Sequence, residues 1–217
     1  MPNDMDTPDR AELVWYFDVV SPFAYLALPA VTAIARRRPV LFRPIVFGAV
    51  LTHWNQLGPA EIAPKRVHTY RLCQFMAERA GVPMRFPPQH PFRSLEALRL
   101  IAALDSDPGA VRATFDFIWA EGRDPGERDA LCARLGVADY DALIAEGDAK
   151  ARLRAWTDAA IAAGVFGVPT LAVGDALFWG VDAMPLAEAV LNDPGLLARG
   201  EMARLADLPV GVERRSD

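Results

Sequence analysis

The order of apolar segments in the first 50 residues restricts the fold more than any other feature. Residues 13 to 20, LVWYFDVV, are a short run of aliphatic and aromatic residues, the pattern of a strand covered on both faces, interrupted by Asp18. From Pro22 the spacing of Phe23, Leu26, Ala27, Ala30, Val31 and Ile34 is helical, and Pro29 is predicted to bend that helix rather than end it. Residues 40 to 47, VLFRPIVF, read as a second strand. Strand, helix and strand in this order make a β-α-β unit, whose strands are parallel and whose crossover is right-handed.

The texture then changes. Between residues 60 and 163 only helical periodicity is found, with Val111, Phe115, Ile118 and Trp119 marking one apolar stripe and Leu153, Trp156, Ala160 and Ile161 another. GVPMRFPPQHP, residues 81 to 91, carries too many prolines for regular structure and reads as an ordered loop, and EGRDPGERD, 121 to 129, reads as a solvated turn. Gly164 marks a helix end. VPTLAVGDALFWG then alternates and turns on Gly174 and Asp175, a hairpin signal, and a last helix is predicted from Asp182 to Leu191. The element order is that of an α/β, thioredoxin-like domain with a large all-helical insertion. It assigns residues 11–50 and 157–200 to the thioredoxin-like domain, 51–156 to the helical insertion and 201–217 to a C-terminal tail.

A chain of 217 residues that is 52% hydrophobic buries a substantial core. Its net charge of -5 argues against a nucleic-acid partner, which needs a dense basic face. The one basic cluster, Arg36, Arg37 and Arg38, falls where a helix ends and reads as a complement to the negative helix terminus. The first dozen residues are acidic and lack the apolar run of a secretory signal, and no uncharged stretch reaches membrane-spanning length without proline. Cys73 and Cys132, far apart in helical segments, read as reduced, buried thiols. A soluble, cytoplasmic protein is expected, with no membrane partner.

Ser21 followed by Pro22 has two readings. Serine is a preferred N-cap and proline a preferred first helical residue, so the pair can be purely a helix start. A strand-to-helix turn also aims backbone N–H groups and a positive dipole end at whatever sits there, which suits an anion. GVPT at 167 to 170 bears on the choice, because in thioredoxin-like folds the proline before this strand is typically cis and packs across from the first helix's N-terminus. Pro169 and Ser21 are then expected to share a cleft.

YFDVVSPFAYLA, NQLGP, PKR, RFPP, GVFGVPT and LFWGVD, in this order and spacing, resemble the 2-hydroxychromene-2-carboxylate isomerases, relatives of kappa-class glutathione transferases, from about Leu13 to Leu191. The resemblance implies glutathione as cofactor and assigns Ser21 as the catalytic residue that donates a hydrogen bond to its sulfur and holds it as thiolate. A hydroxyl donor near a helix N-terminus lowers a thiol pKa, and the thiolate is the nucleophile. In the family reaction the thiolate adds reversibly to the chromene, permitting ring opening and rotation to trans-o-hydroxybenzylidenepyruvate. Val168 is implied to pair its backbone with the cysteinyl part of glutathione, as an added strand does. Trp179, Gly180, Val181 and Asp182 are implied to hold the γ-glutamyl group, with Asp182 taking its ammonium unless it serves only as an N-cap. Asn55 is implied to line the cleft, or is a turn residue beside Gly58 and Pro59. Lys65, next to Arg66 at a helix start, places a cation against the positive dipole end at a cost of about 0.3 to 1 kcal/mol, which an anionic ligand or solvent offsets. Relatives suggest a homodimer.

The sequence departs from these relatives at three places. Arg93 stands where they often have asparagine, and either binds a carboxylate or pairs with Glu96. Val181 and Ala183 stand where they usually carry a polar residue and arginine. His53, His68 and His90 have no metal-ligand spacing, and a surface role is expected for them. The expected function is glutathione-dependent isomerisation of 2-hydroxychromene-2-carboxylate or a related unsaturated aromatic carboxylate. The alternatives are a kappa-like glutathione transferase and a non-catalytic thioredoxin-fold binding protein.

Overall fold

The computed structural model describes residues 11–146 and 148–212. A four-stranded sheet of order β2-β1-β3-β4 is built from β1 (Leu13–Phe17), β2 (Val40–Pro44), β3 (Thr170–Val173) and β4 (Ala176–Trp179). β1 pairs with β2 in parallel, Leu13 opposite Val40, and with β3 antiparallel, Tyr16 opposite Thr170. The β3–β4 hairpin turns at Gly174, whose φ of +57° supplies the left-handed backbone that the turn needs.

β1 is buried along its whole length because the sheet is covered on both sides. Leu13, Trp15 and Phe17 pack with α1 (Pro22–Ala35), α9 (Met184–Asn192) and the buried residues of α4 (Leu95–Ala103) and α5 (Pro108–Phe115). Val14 and Tyr16 face the other way, toward Val50 of α2 (Phe47–His53) and Ala160 of α8 (Ala149–Ala162). The Trp15 ring stacks on Phe17, centroids 4.5 Å apart, and Phe115 closes the cluster against both.

The remaining helices are α3 (Ala63–Ala80), α6 (Arg128–Arg134), α7 (Tyr140–Glu146) and α10 (Gly200–Ala206). Val111, Phe115, Ile118 and Trp119 are all fully buried, as their spacing predicts. The stripe does not continue as simple α-helix, however: residues 116–120 form a π-helical turn. Pro29 lies inside α1, Gly164 follows the end of α8 with φ of +82°, and both cysteines are buried and free. Among the described residues no helix is long and apolar enough to cross a membrane.

Three expectations need correction and a fourth is extended. β1 ends at Phe17 rather than residue 20, because the Asp18 carboxylate accepts the Val20 N–H and bends the chain. β2 ends at Pro44, and Phe47 begins α2 rather than ending a strand: the same carboxylate accepts the Phe47 N–H, a remote cap that no local pattern reveals. The helix ending at Asn192 is not the last, since a 3-10 turn (Leu196–Ala198) and α10 follow; α10 occupies the start of the proposed tail, and residues 213–217 and 1–10 lie outside the described residues. The arginines after α1 serve α9 as well: Arg38 donates to the Leu191 carbonyl at 3.1 Å and Arg37 pairs with Glu188 at 2.6 Å.

Candidate active site at the start of α1

Ser21 is the N-cap of α1, with extended backbone and Pro22 at the first helical position. Its Oγ accepts the Ala24 N–H at 3.3 Å. That bond occupies a lone pair, so the hydroxyl proton is left to donate. The cap and donor readings are therefore compatible in one geometry. Nearby, the Phe23 N–H, a first-turn donor that a helix leaves without an intrahelical acceptor, has no partner among the described residues, and the Val19 carbonyl before the cap accepts the Trp119 indole N–H at 2.8 Å. An O–H and an N–H thus stand together at the positive end of a 14-residue helix, with Ser21 only 6% exposed.

The turn that presents Ser21 is held from several sides. The Ser21 N–H donates to the Asp18 carbonyl at 3.0 Å. The Asp18 side chain, 2% exposed, accepts Val20 N–H and Phe47 N–H at 3.0 Å each, and Ser94 at the start of α4 hydrogen-bonds it too. Burial pushes this carboxyl up to about 6, with the three donors opposing the shift. The His90 ring lies 2.8 Å from the Val20 carbonyl through Nε2, which must carry the proton, while Nδ1 faces the Tyr70 hydroxyl at 2.8 Å. Burial lowers the His90 pKa, which favours the neutral ring. Tyr70 also donates to the His90 carbonyl at 2.6 Å, so one phenol proton serves two acceptors.

The opposite wall starts where β3 does. Tyr16 pairs with Thr170, which places the cis Val168–Pro169 peptide at the end of β1 from which the chain runs into Ser21. Val168 is nearly buried, and its N–H and C=O take no hydrogen bond from the described residues. A buried backbone pair without partners is what an extended peptide adds itself to. The Gly180 N–H donates to the Pro169 carbonyl at 2.9 Å, which brings the β4–α9 corner to the same place. The Trp179 indole lies on the Cα of Gly167, where any Cβ would collide with it, and is nevertheless 53% exposed. Val181 packs beside Leu26 of α1 and Cys73 and Ala77 of α3, so its apolar side chain has a packing role. Asp182 is exposed, and its carboxylate makes no ion pair or hydrogen bond with the described residues. It is not the N-cap of α9, which is Ala183.

Ser21, Val168, Trp179, Gly180, Val181 and Asp182 are thus gathered at one end of the sheet. Asn55 and Lys65 are reached less directly. Asn55 is exposed with φ of +50°, just past α2, where the Trp54 indole N–H donates to the Val165 carbonyl at 2.9 Å and pins this end of α2 to the chain leading into Val168. Lys65 is exposed in the first turn of α3, five residues before Tyr70, whose contact with His90 ties that helix to the Ser21 turn. Arg93 does not pair with Glu96, which is held by a bidentate contact from Arg128 at 2.7 and 3.1 Å. His90 is not a surface histidine, and the described residues hold no cluster of metal-ligating side chains. Sequence reasoning missed Asp18, Tyr70, His90, Ser94 and Trp119 as supports. The interruption of an apolar strand by Asp18 was the one signal available. A cavity of about 340 Å³ between Glu96, Arg128, Tyr140 and Lys150 contains none of the candidate residues.

Comparison with known proteins places this geometry in a family. The model of the DSBA-like thioredoxin domain matches residues 12–192. The 2-hydroxychromene-2-carboxylate isomerase of Sphingobium xenophagum is 31% identical over 194 residues, covering 82% of this chain and 97% of that one. Glutathione S-transferase kappa 2 of Caenorhabditis elegans is 26% identical over 213 residues, covering 86% and 94%. A solved structure of 2-hydroxychromene-2-carboxylate isomerase superimposes with a TM-score of 0.69 at 26% identity, covering 91% of this chain and 99% of the other. The chain belongs to the DSBA-like thioredoxin family, in the group formed by 2-hydroxychromene-2-carboxylate isomerases and their kappa-class glutathione transferase relatives.

Proposed function

We propose that the protein is a glutathione-dependent isomerase of 2-hydroxychromene-2-carboxylate or a related unsaturated aromatic carboxylate, giving trans-o-hydroxybenzylidenepyruvate. One observation carries the reading: the Ser21 hydroxyl, its lone pair used by Ala24, has a proton to give at the end of α1 that adjoins the unpaired Val168 backbone. A tripeptide thiol fits the donors and acceptors present. Val168 offers both backbone groups to the cysteinyl unit, and the exposed Asp182 carboxylate, without a protein partner among the described residues, suits an ammonium group. Lys65 offers a cation to a carboxylate of the cofactor or the substrate.

Glutathione, when bound, supplies a sulfur that adds reversibly to the conjugated substrate and leaves again. The protein's part is to bind and to bias a proton equilibrium. The Ser21 O–H and the Phe23 N–H favour the deprotonated sulfur, as does the α1 dipole. A free thiol of this kind has a pKa of about 8.5, and bringing it toward 7 raises the reactive fraction severalfold at neutral pH. A serine at this position cannot itself take part in disulfide exchange. The free, buried Cys73 and Cys132 accord with a reducing, cytoplasmic setting. The exposed apolar side chains Val67, Leu72 and Phe75 on α3 support a homodimer.

The test is to follow the ultraviolet spectrum of the chromene with purified protein, with and without glutathione. Ring opening is expected only with glutathione, with the thiol recovered unchanged. Isomerisation at the same rate without it would overturn the proposal. The kappa relative supports a second reading, a transferase, and a product that retains glutathione would select it.

A further inference from the structure

Asp18 is a buried carboxylate to which neither the family resemblance nor the proposed chemistry gives a role, and its two oxygens reach three separate parts of the fold. Oδ1 accepts from Val20 in the turn before Ser21, Oδ2 accepts from Phe47 at the first residue of α2, and Ser94 joins from the start of α4. Trp54, the residue that caps the far end of α2, holds the Val165 carbonyl through its indole, three residues before Val168. One side chain therefore links the Ser21 turn to the element that pins the opposite wall. We propose that Asp18 is a positioning residue whose ionised carboxylate, by holding the Val20 and Phe47 amides together, keeps the two walls of the glutathione cleft in register. The proposal rests on the glutathione reading given above.

Hydrogen-bond chemistry explains why the charge matters. An ionised carboxylate is an acceptor at both oxygens, whereas the protonated form carries an O–H and turns one oxygen into a donor. That oxygen keeps a lone pair but loses its charge, so one of the two amides is left with a weaker, neutral acceptor in place of a charge-assisted one. Burial has already raised this carboxyl to about 6, so the exchange falls in an accessible range. The groups facing it are the Val20 and Phe47 amides and the Ser94 hydroxyl. His90, backed by Tyr70, faces the same turn through the Val20 carbonyl, and its own ring also titrates.

The experiment uses S-methylglutathione, whose sulfur carries no proton, so that thiol ionisation drops out of the binding equilibrium. If the competent cleft is populated in step with Asp18 ionisation, affinity measured by calorimetry falls about tenfold from pH 7 to pH 5. Asp18→Asn, which retains His90, is expected to bind weakly and with little pH dependence. Unchanged affinity in the parent over this range, tighter binding at low pH, or the same pH dependence in Asp18→Asn would each overturn the proposal. Because Asp18→Asn can fail to fold, the amide resonances of Val20 and Phe47 in the unmodified protein give an independent reading: they are expected to titrate together with a midpoint near pH 6. Static or separately titrating amides would overturn the proposal. Absence of S-methylglutathione binding at every pH would count against the glutathione reading instead, and the amide titration would still decide the role of Asp18 in holding the turn.

Discussion

Replacing Ser21 with alanine removes two things that can be measured separately. The first is the cap, an Oγ contact to Ala24 at 3.3 Å, long for such a bond. Losing a serine cap costs about 1 kcal/mol of stability, and the long distance places this one toward the lower end of the range. The second is the donor to a bound thiolate. Hydrogen bonds to charged groups contribute about 1.5 to 3 kcal/mol, and each pKa unit corresponds to about 1.4 kcal/mol, so the bound thiol is expected to titrate roughly one to two units higher. Below both pKa values this reduces the thiolate population by roughly ten- to a hundredfold, and the isomerisation rate with it. Thiolate absorbance of the glutathione complex, followed against pH in parent and Ser21→Ala, reads the shift. Urea unfolding reads the cap. A bound thiol that titrates identically in both proteins would remove Ser21 from the proposed chemistry. A stability loss well beyond the cap value would show that the residue is needed chiefly for packing.

Asp18 has a stability signature of its own. Its carboxyl is raised from 3.8 to about 6, so the folded state holds this proton more tightly than the unfolded chain. Its contribution is therefore most favourable below pH 4 and is lost as pH rises through 6, by about 3 kcal/mol in all. Urea midpoints from pH 4 to 7 are expected to differ between parent and Asp18→Asn by an amount that changes in that direction, whereas a constant difference would contradict the burial argument. Gly180 has φ of +94°, a left-handed backbone that strains a side chain, and an added Cβ would push the exposed Asp182 carboxylate aside, so Gly180→Ala is expected to cost roughly 1 to 3 kcal/mol in urea unfolding and to weaken glutathione binding. Asp182→Asn is expected to leave the urea midpoint unchanged and to lower glutathione affinity about tenfold, since a charge-assisted bond becomes a neutral one.

The parts of this fold written in local pattern were legible. The β-α-β start, the Gly174 turn and the stripe through Val111, Phe115 and Trp119 depend on period and turn chemistry, which neighbouring residues carry by themselves. The ends of β1 and β2 were not, because both are set by the Asp18 carboxylate, which takes the Val20 amide in its own turn and the Phe47 amide across the chain. The same limit applies to the site. Ser21 and Pro22 announce a helix start, and the GVPT segment announces the facing wall. His90 and Trp119, by contrast, act on the Ser21 turn from 70 and 100 residues away through single ring nitrogens bonded to backbone carbonyls. Such contacts depend on tertiary placement. Nothing in HPF or FIW distinguishes them from an ordinary loop and an ordinary core stripe.

Ser21→Cys offers the most direct examination of where the tripeptide's sulfur lies. Incubated with oxidised glutathione, this variant is expected to gain a single glutathionyl group at residue 21, located by peptide mass. The parent is expected to gain none, because its own thiols, Cys73 and Cys132, are buried and Cys73 is pushed up to about 12. A variant that stays unmodified at residue 21, or a parent modified just as fast, would contradict the assignment of this position to the sulfur.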